Sequence, residues 1–62
     1  MTYRFTVYVL WPDQSNEYRT DDMVSAAAIC RRAYHDGAVS VALIDSERGS
    51  NRGMRRDGTV IA

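Results

Sequence analysis

TDDMVSAAAICRRAYHDG, residues 20–37, is the one stretch long and periodic enough to specify a helix. Wound at about 100° per residue, it gathers Met23, Ala26, Ala27, Ile29, Cys30, Ala33 and Tyr34 on an arc of roughly 160°. Ser25, Arg31, Arg32 and His35 fall opposite. One face is apolar and one is wet, so the helix must lie against another layer. Thr20 or Asp21 is the expected N-cap, with Asp22 near the positive end of the helix dipole, and His35-Asp36-Gly37 is the expected stop.

Working outward, Tyr3 to Trp11 alternates with period two. Tyr3, Phe5, Val7, Val9 and Trp11 share one side, and Arg4, Thr6, Tyr8 and Leu10 the other, as in a half-buried strand. Pro12 and Asp13 end it. Gln14-Ser15-Asn16 is turn chemistry, so Glu17 to Arg19 is expected to return as a short edge strand whose charges discourage addition of a foreign strand. Beyond the helix, Ala38 to Asp45 predicts a second strong strand, with Val39, Val41 and Leu43 on one face and Ser40, Ala42 and Ile44 on the other. Ser46 to Gly53 has turn formers and charge without periodicity, which predicts a loop. Met54 to Ala62 closes the chain. There Asp57-Gly58 fits either the corner of a tight hairpin or the lead-in to a last strand through Thr59, Val60 and Ile61, and a strand pairing back on the third is preferred.

These elements assemble as an α+β domain of ββαββ order, a small, mainly antiparallel sheet with one amphipathic helix on one face. Short connections and a right-handed crossover favour the strand order two, one, three, four. The helix should cover Phe5, Val7, Val9, Val41 and Leu43. Thr6, Tyr8, Leu10, Ser40, Ala42 and Ile44 should form an open face, more apolar than a small monomer usually exposes.

At 62 residues the chain has room for one small core, and dimerisation is a common way to add burial at this size. A homodimer through the open face or an edge strand is therefore expected. The 45% apolar and 26% charged residues are ordinary globular values, which argues against disorder of the whole chain. No apolar run approaches the roughly 20 residues that span a bilayer, so no membrane partner is expected. One cysteine, and an N-terminal stretch without a charged n-region or apolar h-region, predict a cytosolic protein. Formal charge is zero, yet Asp13, Glu17, Asp21 and Asp22 lie in one part of the chain and Arg48, Arg52, Arg55 and Arg56 in another. The eight basic residues are all arginine, a bias that genome composition explains as readily as selection for bidentate contacts.

Candidate chemistry is sparse. Trp11-Pro12-Asp13 spells the mobile-loop tripeptide of cysteine phosphatases, but that chemistry needs an arginine six positions after the nucleophile, and that position after Cys30 is Asp36. Cys30 falls on the apolar helix arc, away from Arg31 and His35, and reads as a small core residue. Cys30→Ala should then cost stability and spare partner binding, with Cys30→Ser worse because its hydroxyl needs a partner. His35 and Cys30 alone cannot build a zinc site. His35 suits the helix C-terminus. Asp21-Asp22 and Asp45/Glu47 lack a setting that would tune one acid against another, and the glycines do not form a phosphate loop opening onto a helix. No enzyme activity, cofactor or metal is expected.

What remains is Arg48-Gly49-Ser50-Asn51-Arg52-Gly53-Met54-Arg55-Arg56, the densest positive charge in the chain. Arginines on a loop can clamp carboxylates or phosphates with paired N–H donors. In build, being short, cytosolic by composition, without a catalytic set and with segregated charge, the chain resembles the small accessory proteins of phages and mobile elements, including inhibitors of bacterial defence systems of the anti-CRISPR kind. The resemblance rests on no sequence motif. It implies stoichiometric binding to a larger protein or protein–nucleic-acid complex in the host cytoplasm, with Tyr8, Tyr18, Arg48, Arg52, Arg55 and Arg56 as contact residues. A nucleic-acid-binding regulator using the four arginines is the second expectation, and a virion or assembly protein the third.

Overall fold

The alternation of Tyr3 to Trp11 becomes the centre of the sheet. A computed structural model describes residues 3–61, and in it β1 (Phe5–Leu10) buries Phe5, Val7 and Val9 on one face while Tyr8 and Leu10 stay exposed on the other. β1 pairs antiparallel with β2 (Ser15–Thr20) on one side and with β3 (Ser40–Asp45) on the other, and β3 pairs antiparallel with β4 (Ser50–Met54). The order is β2-β1-β3-β4, with the single helix α1 (Met23–His35) between β2 and β3 in the chain. This is the expected ββαββ, α+β arrangement.

Several boundaries differ from the sequence reading, each for a local reason. The first turn is Trp11–Gln14, closed by the Trp11 N–H donating to the Gln14 carbonyl at 2.8 Å. Ser15 and Asn16, expected in the turn, are strand residues opposite Leu10 and Val9, where pairing satisfies main-chain groups that a longer loop would leave to solvent. The helix N-cap is Asp22 rather than Thr20 or Asp21. Its carboxylate accepts from the Val24 amide at 3.2 Å and the Ser25 hydroxyl at 3.2 Å, whereas Asp21 is drawn to the Arg4 amide at 3.0 Å and Thr20 remains paired with Phe5. At the other end Ala38 N–H reaches the Ala33 carbonyl at 3.0 Å and Gly37 N–H the Tyr34 carbonyl at 3.2 Å, the Schellman pattern. Ala38 is thereby buried and Val39, expected inside, is exposed as the chain turns into β3.

The larger correction concerns the C-terminal third. Ser46 to Gly53 is not one loop: the turn spans Ser46–Gly49, and β4 begins at Ser50. Arg48-Gly49 belongs to the turn, and Arg52 stands in a strand opposite Leu43. A last strand does pair back on β3 as preferred, but it is Ser50–Met54 and does not run through Thr59, Val60 and Ile61. Arg55 to Gly58 makes a tight turn in which Gly58 N–H meets the Arg55 carbonyl at 2.9 Å, and Val60 bridges back to Met54, so the return is against β4. Ala62, the end of that expected strand, lies outside the described residues.

Helix and sheet meet in one core of Phe5, Val7, Val9, Ala26, Cys30, Ala33, Ala38, Val41, Leu43 and Met54. The expected helix arc is the buried one, with Met23, Ile29 and Tyr34 packed at its margins. Beside the helix the 55–58 turn fills in, and Gly58 is buried against Ala27. On the far face Thr6, Ala42 and Ile44 are half-buried beside exposed Tyr8 and Leu10. No helix among the described residues is long and apolar enough to cross a membrane.

Candidate functional site

The register decides where the arginines go. Phe5 lies opposite Asp45 and Leu43 opposite Arg52, on the face that α1 covers. At the start of α1 this leaves a groove of about 520 Å³ lined by Arg4, Arg48 and Arg52, by Asp21, Asp22 and Asp45, and by the apolar Phe5, Met23, Leu43 and Val60. Its carboxylates are engaged in local structure. Asp22 caps the helix, Asp21 holds the Arg4 amide, and Asp45 accepts the Glu47 amide at 3.0 Å. Arg4 is engaged too: its Nε is 3.0 Å from Glu47 and 3.7 Å from Asp45, and its guanidinium lies 4.8 Å over the Phe5 ring. Arg48 and Arg52 make no ion pair among the described residues, so two guanidinium forks are free at the rim of an apolar floor.

Arg55 and Arg56 do not join them. They leave the sheet after Met54, and Arg56 stacks over the Tyr34 ring at 5.2 Å, alongside the C-terminal half of α1. The two tyrosines are separated as well. Tyr8 stands on the open face opposite Glu17, whose carboxylate, as hydrogen-bond acceptor and as a neighbouring charge, pushes the Tyr8 phenol above its ordinary value of 10.0. Tyr18 stands on the helix side, in a second, mainly apolar groove of about 330 Å³ formed with Trp11, Ala28, Ile29, Arg32, Ala33 and Asp36. The six expected contact residues thus fall in four places. Arg4, Phe5 and Leu43 were not among them, since only strand register brings them to Arg48 and Arg52. The usable signal was Gly49: a short Gly-containing link between strand-like runs is hairpin chemistry.

The groups that could do chemistry are held apart. Cys30 is fully buried, its Sγ donates to the Arg55 carbonyl at 3.0 Å, and burial pushes the thiol above its ordinary value. His35 points to solvent with Nδ1 3.4 Å from the Asp36 carboxylate. Asp36 is held below its ordinary value of 3.8, first by the hydrogen bond from Arg32 and then by that from His35. Among the described residues no group of three or more His, Cys, Asp or Glu is gathered to hold a metal ion. Trp11-Pro12-Asp13 is the exit from β1 and its turn, and Trp11 packs against the core.

Comparison with protein-family models, with curated proteins and with solved structures finds no match for this chain. The functional reading therefore rests on the geometry.

Proposed function

We propose that this is a non-enzymatic binding protein that acts by stoichiometric contact with a larger protein or protein–nucleic-acid complex, with the groove at Arg48 and Arg52 as its contact site. The observation that carries the reading is that these two unpaired arginines share their groove with Asp21, Asp22 and Asp45 over an apolar floor. A groove of that size and mixed character suits a protein segment in which a carboxylate side chain sits beside an apolar one. A polyanion is served less well, because Arg56 lies elsewhere on the surface, against Tyr34, and a run of phosphates would meet only two unpaired arginines in this groove, enough for a single carboxylate. The resemblance in build extends the proposal to a phage or mobile-element accessory protein that inhibits a host defence system from within the host cytoplasm.

Nucleic-acid binding is the competing outcome, and a salt titration against mixed-sequence DNA and RNA separates the two. A phosphate-binding protein loses affinity steeply with salt, and each phosphate-contacting arginine removed lowers that slope by about 1. The proposal expects weak binding whose slope does not depend on Arg48 and Arg52. Tight, salt-steep binding that disappears on removing Arg48, Arg52, Arg55 and Arg56 overturns it.

A further inference from the structure

The two edges of the sheet are treated differently. At the β4 edge the Gly53 carbonyl accepts the Ile61 amide at 2.7 Å and Met54 bridges to Val60, so the returning chain covers the Gly53–Met54 end of that edge. The β2 edge has no such cover. Ser15–Thr20 pairs with β1 in unbroken register, with no bulge and no proline, and among the described residues no main-chain group of the strand bonds anything beyond β1. Glu17 and Arg19 guard this edge against strands in general, but its unpaired main-chain groups remain a template for a strand of matching charge.

We propose that β2 pairs antiparallel with β2 of a second copy of this chain, about a two-fold axis through Tyr18. Geometry limits the choices. A two-fold axis relating antiparallel neighbours in one sheet stands perpendicular to it, so residues directly opposite one another lie on the same face and the axis must pass through a residue position. Centred on Glu17 the pairing sets Glu17 against Glu17, and centred on Arg19 it sets Arg19 against Arg19. Within each strand Arg19 Nη2 already donates to the Glu17 carboxylate at 2.7 Å; centred on Tyr18, the pairing sets each Glu17 against the other copy's Arg19, so that the two ion pairs interlock with signs alternating, while Tyr18 faces Tyr18 and Asn16 faces Thr20. The strand is self-complementary in that register alone of the three. Opposite charges directly across strands stabilise a pairing and like charges oppose it.

A second observation points to the same occupant. Tyr18, 40% exposed, lines the apolar groove with Trp11 and Ile29 on the helix side of the edge. In the Tyr18-centred register the grooves of the two copies flank the axis and the facing tyrosines close them from solvent. The sheet becomes eight-stranded with both helices on one face, and the groove at Arg48 and Arg52, at the start of α1, stays open. This inference is independent of what that groove binds.

The experiment is a charge-swap series read by sedimentation equilibrium, with circular dichroism and melting confirming that each variant folds. Wild type dimerises with a concentration-dependent mass. Glu17→Arg and Arg19→Glu each place like charges opposite and become monomeric. The double swap E17R/R19E restores the dimer, and an equimolar mixture of the two single variants forms the heterodimer, because each supplies the charges the other lacks. A merely structural role for the pair cannot produce rescue in the mixture. A wild-type monomer at the highest soluble concentration overturns the proposal, as does a dimer indifferent to either single change or a mixture of folded variants that stays monomeric.

Discussion

The Tyr34 hydroxyl donates to the Met54 carbonyl at 3.0 Å. The same oxygen accepts the Val41 amide at 3.1 Å, and Val41 and Met54 are register partners, so one helix side chain ties together the two strands at the point where β4 gives way to the 55–58 turn. Tyr34→Phe keeps the ring and its contact with Arg56 but leaves a donor and an acceptor unsatisfied. We expect a loss of about 1–3 kcal/mol, read in urea as a lower midpoint with an unchanged slope.

Cys30 tests the same junction from the core. Cys30→Ala removes the sulfur from a fully buried position and should cost roughly 1 kcal/mol with function retained. The sequence alone ranks Cys30→Ser as the worse change, but the structure reverses that order. The Arg55 carbonyl, 3.0 Å from Sγ, is an acceptor already in place for a serine hydroxyl. Serine should therefore match or exceed alanine in thermal melts. Rapid alkylation of native Cys30, or loss of partner binding without loss of stability in either variant, would revive a nucleophilic role.

Gly58 and Gly49 both have left-handed backbones, with φ of +88° and +63°. A Cβ at Gly49 meets open space, whereas at Gly58 it would come within 3.0 Å of the Ala27 Cβ and 3.2 Å of the Ala27 carbonyl. Gly49→Ala should cost only the conformational term, about 1–2 kcal/mol. Gly58→Ala should cost more, because the turn must also lift off the helix. Equal midpoints for the two variants would show that the turn does not pack on α1 in solution.

Acid should weaken the fold through Asp36 among other carboxylates. Its pKa is held below 3.8 in the folded state by Arg32 first and His35 second. The unfolded chain thus takes up the proton first as pH falls, and the contribution, present above that ordinary value, is lost as pH drops through the folded one. Melts of wild type and Asp36→Asn should converge as pH falls below about 3.8, and added salt should narrow the gap at neutral pH because the pair is exposed.

Much of this fold was legible because it is written locally. Phe5, Val7 and Val9 alternate, and Ala26, Cys30 and Ala33 recur at helical spacing, so β1, α1 and the face between them follow from pattern alone. β4 was not legible for the opposite reason. Asn51, Arg52 and Gly53 have no strand propensity, and the segment is extended because β3 offers it a register ending in Met54 opposite Val41. The site inherits that difficulty. Arg48 and Arg52 were singled out as charge, but their separation from Arg55 and Arg56, and their company with Arg4, Phe5 and Leu43, depend on pairing between distant strands.

Binding of a protein partner through the groove at Arg48 and Arg52, proposed above, is checked by capture from nuclease-treated cell lysate. Three tagged baits of equal stability are compared: wild type, Arg48→Ala/Arg52→Ala, and Arg55→Ala/Arg56→Ala. We expect a stoichiometric, nuclease-resistant partner that is retained by wild type and by the Arg55/Arg56 variant and lost from the Arg48/Arg52 variant. A partner held equally by all three baits, or capture that nuclease abolishes, would contradict it.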